Sequence, residues 1–268
     1  MNVKAIYILI LTGLIPLHAD QYQLERMFHS VLNSSQGKGL PKELEFHDNL
    51  VSTIPTLNPE HLPSLSAQAS KCLKSPDIEV QKFGVFYFMQ VAMRMDSAVL
   101  LEPRIDDLAE YTNNPANKDL HNAALFSIVY LNPRIPEKGI SVLVPMLISK
   151  LVPDEERAFI GAALLTATPS DADMLHKVLT ALKGSREPKA IINLIRSLGI
   201  LKTRHAEALA LIGESLEHKD AAIRMEAVDA VERLDRDLRV KFEAKIIQIS
   251  IDESESAENR SRAKAALK

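Results

Sequence analysis

The sequence has no tryptophan, a single cysteine and only nine glycines, and aromatic side chains make up 5% of it. These scarcities exclude the aromatic-rich, many-turned composition of a β-sandwich or β-barrel. One cysteine cannot form an internal disulfide, so stability has to come from packing. Cys72 stands at helical spacing with Leu65, Ala69 and Leu73, which predicts a buried structural thiol. A charge excess is missing too. The formal net charge is -3 and the isoelectric point is near 6.3, so no global basic field gathers nucleic acid or anionic lipid. What remains is a chain of 268 residues, 46% hydrophobic, rich in helix formers and long enough to bury a sizeable core.

The first residues, MNVKAIYILILTGLIPLHAD, place Lys4 before an apolar run from Ala5 to Leu17, with Pro16 and then small Ala19 ahead of Asp20. That order is the layout of a secretory signal peptide cleaved after Ala19. The run falls short of the roughly 20 residues that span a bilayer, so no stable membrane insertion is expected after cleavage. The expected compartment is the periplasm or the outside of the cell. Residues 20 to 59 carry Tyr22, Leu24, Met27, Phe28, Val31 and Leu32 on a broad helical stripe, followed by a Ser/Gly-rich break. This segment is expected to cap the start of an array, because array ends need covering.

The array shows itself in a loose repeat. Segments can be aligned on Gly84, Ala124, Gly161, Leu194, Ala227 and Ala263, at spacings of 40, 37, 33, 33 and 36. Most residues of this anchor column are small. Four residues on, the column reads Phe88, Ile128, Leu165, Leu198, Val231 and Leu267, large and apolar throughout. A small residue one turn from a large one makes an interdigitating seam between neighbouring helices, so Gly161 should lie at a close crossing. The turns before these helices bear Asp77, Asn117, Asp154, Glu187 and Asp220, side chains suited to a helix N-terminus. A further helix precedes each copy, at about 60–73, 97–112, 138–151, 171–183, 204–217 and 237–250. Pro63, Pro103 and Pro145 fall in the first three of these and are expected to bend them.

The stretch DAAIRMEAVDAV, from Asp220 to Val231, has an acidic turn residue, an aliphatic three on, arginine next, then small and apolar positions. In this it resembles the second helix of HEAT repeats, and the prolines of the first helices look like the HEAT kink. The resemblance covers about residues 60 to 268. It implies an all-α fold, a right-handed α-solenoid of about six antiparallel helix pairs whose second helices line a concave face. At the Arg224 column the other copies carry Gln81, His121, Ala158, Ile191 and Arg260. Such solenoids mostly bind other macromolecules. The domain reading is therefore signal peptide 1–19, capping segment 20–59 and HEAT-like array 60–268.

No catalytic constellation emerges. The GESLE stretch at Gly213 lacks the second glycine of a nucleophile elbow, and the GKG at Gly37 lacks the rest of a phosphate loop. His205 and Glu207 point about 200° apart on a helix and make a poor metal pair. HEAT-like di-iron enzymes use His-Glu dipeptides, which this chain lacks. DNA-glycosylase solenoids need a basic, aromatic groove, which an acidic chain without tryptophan does not offer. The basic KGSREPK cluster from Lys183 to Lys189 reads as a solvated loop, and the alternating charges from Asp220 to Lys245 as a solvated face. Neither cofactor nor metal is expected. The reading is a non-enzymatic interaction or scaffolding module; an enzyme with a dispersed site and a structural part of a cell-envelope assembly stand as alternatives.

A partner surface can still be named. In the columns expected to face the groove, Phe86, Met89 and Met93 fall at i, i+3 and i+7, beside Phe126 and Val129 of the next copy. Aromatic and methionine side chains on one stripe suit a protein or peptide partner, and these five residues are the candidate partner-binding set. The same stripe could instead be covered by residues 20 to 59.

Overall fold

A computed structural model describes residues 21–33, 48, 50–51, 53–94, 98–113, 117–182 and 184–268. The expected signal peptide lies outside the described residues. Among those described there is no strand, and no helix is long and apolar enough to cross a membrane. The chain divides into two compact units, one through Leu131 and one from Asn132.

In the first unit, α1 (Gln21–Asn33) packs on α2 (Leu62–Leu73) and touches α3 (Ile78–Ala92). Its stripe explains this contact. Leu24, Phe28 and Val31 are fully buried, each worth roughly 1.5–3 kcal/mol of apolar transfer, and the Phe28 ring meets Tyr87 edge-on at 5.4 Å. The short α4 (Ala98–Leu101) is followed by a 3-10 turn and α5 (Ile105–Thr112), and α5 packs on α6 (Lys118–Val129). Helices α3 and α6 pack on each other.

The second unit repeats this pattern. First helices α7 (Glu137–Ile148), α11 (Ala206–Ser215) and α14 (Glu243–Ile251) each pack on the second helix that follows, α8 (Asp154–Ala167), α12 (Ala221–Arg233) and α15 (Ala257–Ala266), whereas α9 (Ala172–Leu182) packs back on α7 and α8, ahead of the second helix α10 (Pro188–Ile200). The second helices stack in order, α8 on α10, α10 on α12 and α12 on α15. The short α13 (Arg236–Arg239) leads into α14 through a 3-10 turn.

The two columns explain how close these contacts are. All six anchor residues are buried, and a Cβ built on Gly84 would stand 2.7 Å from the Ala69 carbonyl of α2. At Gly161 the same atom would meet Val178 Cγ1 of α9 at 2.8 Å, so this glycine does lie at a close crossing. Phe88, Ile128, Leu165, Leu198 and Val231 are all core residues, whereas Leu267 is 37% exposed. Cys72 is buried and its thiol is pushed up to about 12 by burial, which fits a structural thiol.

Three helix starts are capped as their turn residues imply. Asp77 accepts from the Glu79 amide at 2.9 Å, Asn117 from Leu120 at 3.2 Å and Asp220 from Ala222 at 2.8 Å. Glu187 departs from this. It makes no cap for its own helix; its Oε2 accepts from the Glu155 amide, 3.1 Å away at the start of α8. Asp154 opens α8 from inside its first turn, bound to Arg157. The prolines also differ among themselves. Pro63 sits in the first turn of α2, where its missing amide costs nothing, Pro103 lies in the 3-10 turn that interrupts α4 and α5, and Pro145 alone is inside a helix.

Candidate functional site

Each unit presents a face of its second helices. In the first unit Phe86 and Phe126 occupy equivalent positions on α3 and α6, and both are half-buried. Phe126 stacks on Tyr130, one turn on, with ring centroids 5.5 Å apart and planes 19° from parallel. Met93, at the C-cap of α3, is 40% exposed. Met89 and Val129 are buried. The structure thus layers the five candidate residues: Met89 and Val129 lie beneath, and Phe86, Phe126 and Met93 reach the surface. Arg94, beside Met93, donates through Nη1 to the carbonyls of Ile54 and Leu57 at 2.7 and 2.9 Å, tying the segment before α2 to the end of α3.

In the second unit the equivalent face is polar. Glu226 on α12 has a side chain only 9% exposed and takes two hydrogen bonds from Arg196 of α10, at 3.1 and 2.6 Å, with Arg233 at 3.6 Å on its other side. Next to this cluster Asp229 pairs with Arg262 of α15 at 3.1 Å, and Arg262 also reaches Glu258 at 2.8 Å. Burial raises the Asp229 carboxyl above its usual range, partly offset by the Arg262 charge. Gly199 lies between these polar groups and the core, where a Cβ would come within 2.7 Å of Ala230 Cα. It stands in the same column as Met89 and Val129, so that column faces neighbouring helices at three of its six positions.

Three of the turns are held by side chains of the Arg224 column. Arg224 donates through Nη1 to the His218 and Lys219 carbonyls at 2.6 and 2.9 Å and pairs with Glu255 of the next turn. Gln81 does the same in its own copy, donating to the Ser75 carbonyl at 2.7 Å, and Arg260 reaches the Glu255 carbonyl. An amide can therefore stand in the same column as an arginine, because the task is donation to a turn carbonyl.

A cavity of about 390 Å³ in the second unit is lined by Leu165, Leu198, Asp171, Lys202, Arg204 and His205 among others. Its polar groups have structural tasks. Asp171 accepts from the Met174 amide at 3.0 Å, and Arg204 is held by Asp235 at 2.6 Å and Asp237 at 3.0 Å. Glu207 faces His176 at 3.2 Å, one helix away, rather than His205. Among the described residues no group of three or more His, Cys, Asp or Glu is placed to hold a metal ion.

Sequence reasoning missed the Arg196–Glu226–Arg233 cluster. The signal was a glutamate next to the small anchor Ala227, inside the buried stripe, with an arginine one repeat earlier to neutralise it.

No family model matches the sequence, and no curated protein matches it. Among solved structures, a designed armadillo repeat protein in complex with the peptide (KR)4 is 18% identical, covers 91% of this chain and 98% of its own, and has a TM-score of 0.45. Computationally designed armadillo repeat proteins for modular peptide recognition give 17% identity over 91% of this chain and 98% of theirs, with a TM-score of 0.43. An engineered protein aligns over 100% of this chain and 96% of its own at 15% identity and a TM-score of 0.32. None reaches a TM-score of 0.5, so a functional reading has to come from this chain's own side chains.

Proposed function

We propose that the protein is an exported, non-enzymatic binding module, a HEAT-like right-handed α-solenoid of about six antiparallel helix pairs capped by α1. It takes a protein or peptide partner along its second helices, at Phe86, Met89, Met93, Phe126 and Val129. The observation that carries this reading is the layered arrangement on α3 and α6. Two phenylalanines at equivalent positions are half-buried, Met89 and Val129 on the same helices are buried, and Phe126 is set by its stack on Tyr130. Rings held this way lose little entropy when a partner's apolar side chain covers them. The order of residues 1–19 supports export to the periplasm or the cell exterior.

Selection from a displayed peptide library against the purified protein tests the binding surface, with the Phe86→Asp/Phe126→Asp variant as the counter-target. Peptides carrying apolar anchors should bind the native protein and lose the double variant, whose helical signal and melting temperature stay near native. Equal binding to both proteins, or no selection at all, defeats the proposal. Sequencing the N-terminus of exported material tests the compartment, and a start at Met1 would defeat it.

A further inference from the structure

The 3-10 turn at Val240–Phe242 and helix α14 together present an apolar stripe that is exposed among the described residues. The inner side is occupied: Phe242 stands 3.2 Å from where a Cβ on Gly213 would lie, and Lys245 donates to the Gly213 carbonyl at 2.9 Å and pairs with Glu217 at 3.1 Å. Ile246 and Ile249 are buried on the same side. On the outside, Val240 is 62% exposed, Ile247 42% and Ile251 69%, and Ala244 is exposed between them. These four recur at i, i+4, i+7 and i+11, the spacing of an apolar helix seam and not of scattered surface residues.

The charges at the two ends of this stripe are opposite. Arg236, Arg239 and Lys241 stand at its start against exposed Glu243 and against Asp235 and Asp237, which share Arg204, so a net positive charge remains there, and Asp252 and Glu253 stand at its end. Asp252 is held below the usual carboxylate range by its bonds from Ser254, so it is a firm anion. We propose that this stripe docks on a second copy of the same chain, the two α14 helices running antiparallel across a two-fold axis between Ala244 and Ile247. In that register Val240 meets Ile251 of the second copy, and Ala244 meets its Ile247. Each large side chain faces a smaller one, as interdigitation requires. The basic start of each helix lies on the acidic end of the other, whereas a parallel pair would set like charges together. One patch serves both copies, which is the condition for a closed, isologous dimer.

A contact of one helix per copy belongs to the small, transient class, below about 1,200 Å² in total, so dimerisation is expected at micromolar concentrations. Sedimentation velocity over a concentration series reads it directly. The native protein should pass from monomer to dimer, and Ile247→Glu should raise the dimer Kd by roughly 100-fold, about tenfold for each of the two symmetric copies. Arg239→Glu should weaken the dimer, and adding Glu253→Arg should restore it. All these positions are at least partly exposed, so circular dichroism melts should stay near native and separate lost docking from lost folding. Orientation is read by mixing a Val240→Cys protein with an Ile251→Cys protein under mild oxidation. The mixed disulfide should outnumber both homodisulfides, and buried Cys72 does not compete. A protein that stays monomeric throughout the series, a dimer indifferent to Ile247→Glu, or disulfides formed without preference would each overturn the proposal.

Discussion

Gly199→Ala separates packing from propensity. Near the end of α10, Gly199 lets α12 approach until a Cβ at this position would stand 2.7 Å from Ala230 Cα and 2.8 Å from Ala230 Cβ. Carbon atoms in contact prefer about 3.5–4.0 Å, so the two helices would have to part by about 0.8 Å or more, and the obstacle is backbone that cannot rotate aside. Overpacking of this kind costs about 1–3 kcal/mol. Alanine returns at most about 0.5–1 kcal/mol of helix propensity, less in a last turn. The net expectation is a loss of about 1–2 kcal/mol, and each kcal/mol lowers the melting temperature by about 2–4 °C for a chain of this size. Gly213→Ala is the matched control. Its new methyl meets only the Phe242 ring, at 3.2 Å, and a ring can give by a few tenths of an ångström, so this variant should melt at or above the native temperature. Differential scanning calorimetry on both variants decides the matter. If Gly199→Ala melts as high as Gly213→Ala, the close crossing of α10 and α12 is not what holds this part of the stack.

Glu226→Gln should lower stability by about 1–2 kcal/mol in a urea titration, since it weakens two charge-assisted bonds; the figure is modest because Arg196 is half exposed and its charge is screened. An unchanged midpoint would make the cluster a surface ornament. Glu255 is held below the usual range by its bond from Arg224, so its contribution is complete above the unfolded value of about 4.3 and is lost as pH falls through the lower folded value. Glu255→Gln should therefore flatten the acid side of the stability profile, below the unfolded carboxylate range, relative to the native protein, and parallel profiles would refute that assignment.

The helices were legible because their signal is local. A stripe repeating every 3.6 residues needs no knowledge of the neighbour, and the spans read from it for 60–73, 138–151 and 171–183 match Leu62–Leu73, Glu137–Ile148 and Ala172–Leu182 to within three residues at either end. The anchor and seam columns were legible for the same reason. Pro63 was read differently from what the fold shows, because its effect depends on where the helix starts: two residues earlier in the chain a helix would be bent, whereas here it is begun. The candidate partner stripe was legible as a face but not in depth. Periodicity sets the direction of Met89 and Val129, yet only the next helix decides whether that direction is open, and both proved buried.

The polar contacts show what a single period hides. Glu187 caps a helix 32 residues back, Arg196 binds a glutamate 30 residues on, and Arg224 binds one 31 residues on, so each bond is one repeat long. Such partners are invisible to i, i+4 reasoning and become readable only when the copies are aligned and charges are compared between columns rather than along the chain. Read that way, the second unit's copies hold one another through directed ion pairs over a packed seam. Because each pair joins neighbouring copies, replacing one charge should loosen the junction between two copies and leave the rest of the stack in place, as nearest-neighbour coupling in repeat arrays requires.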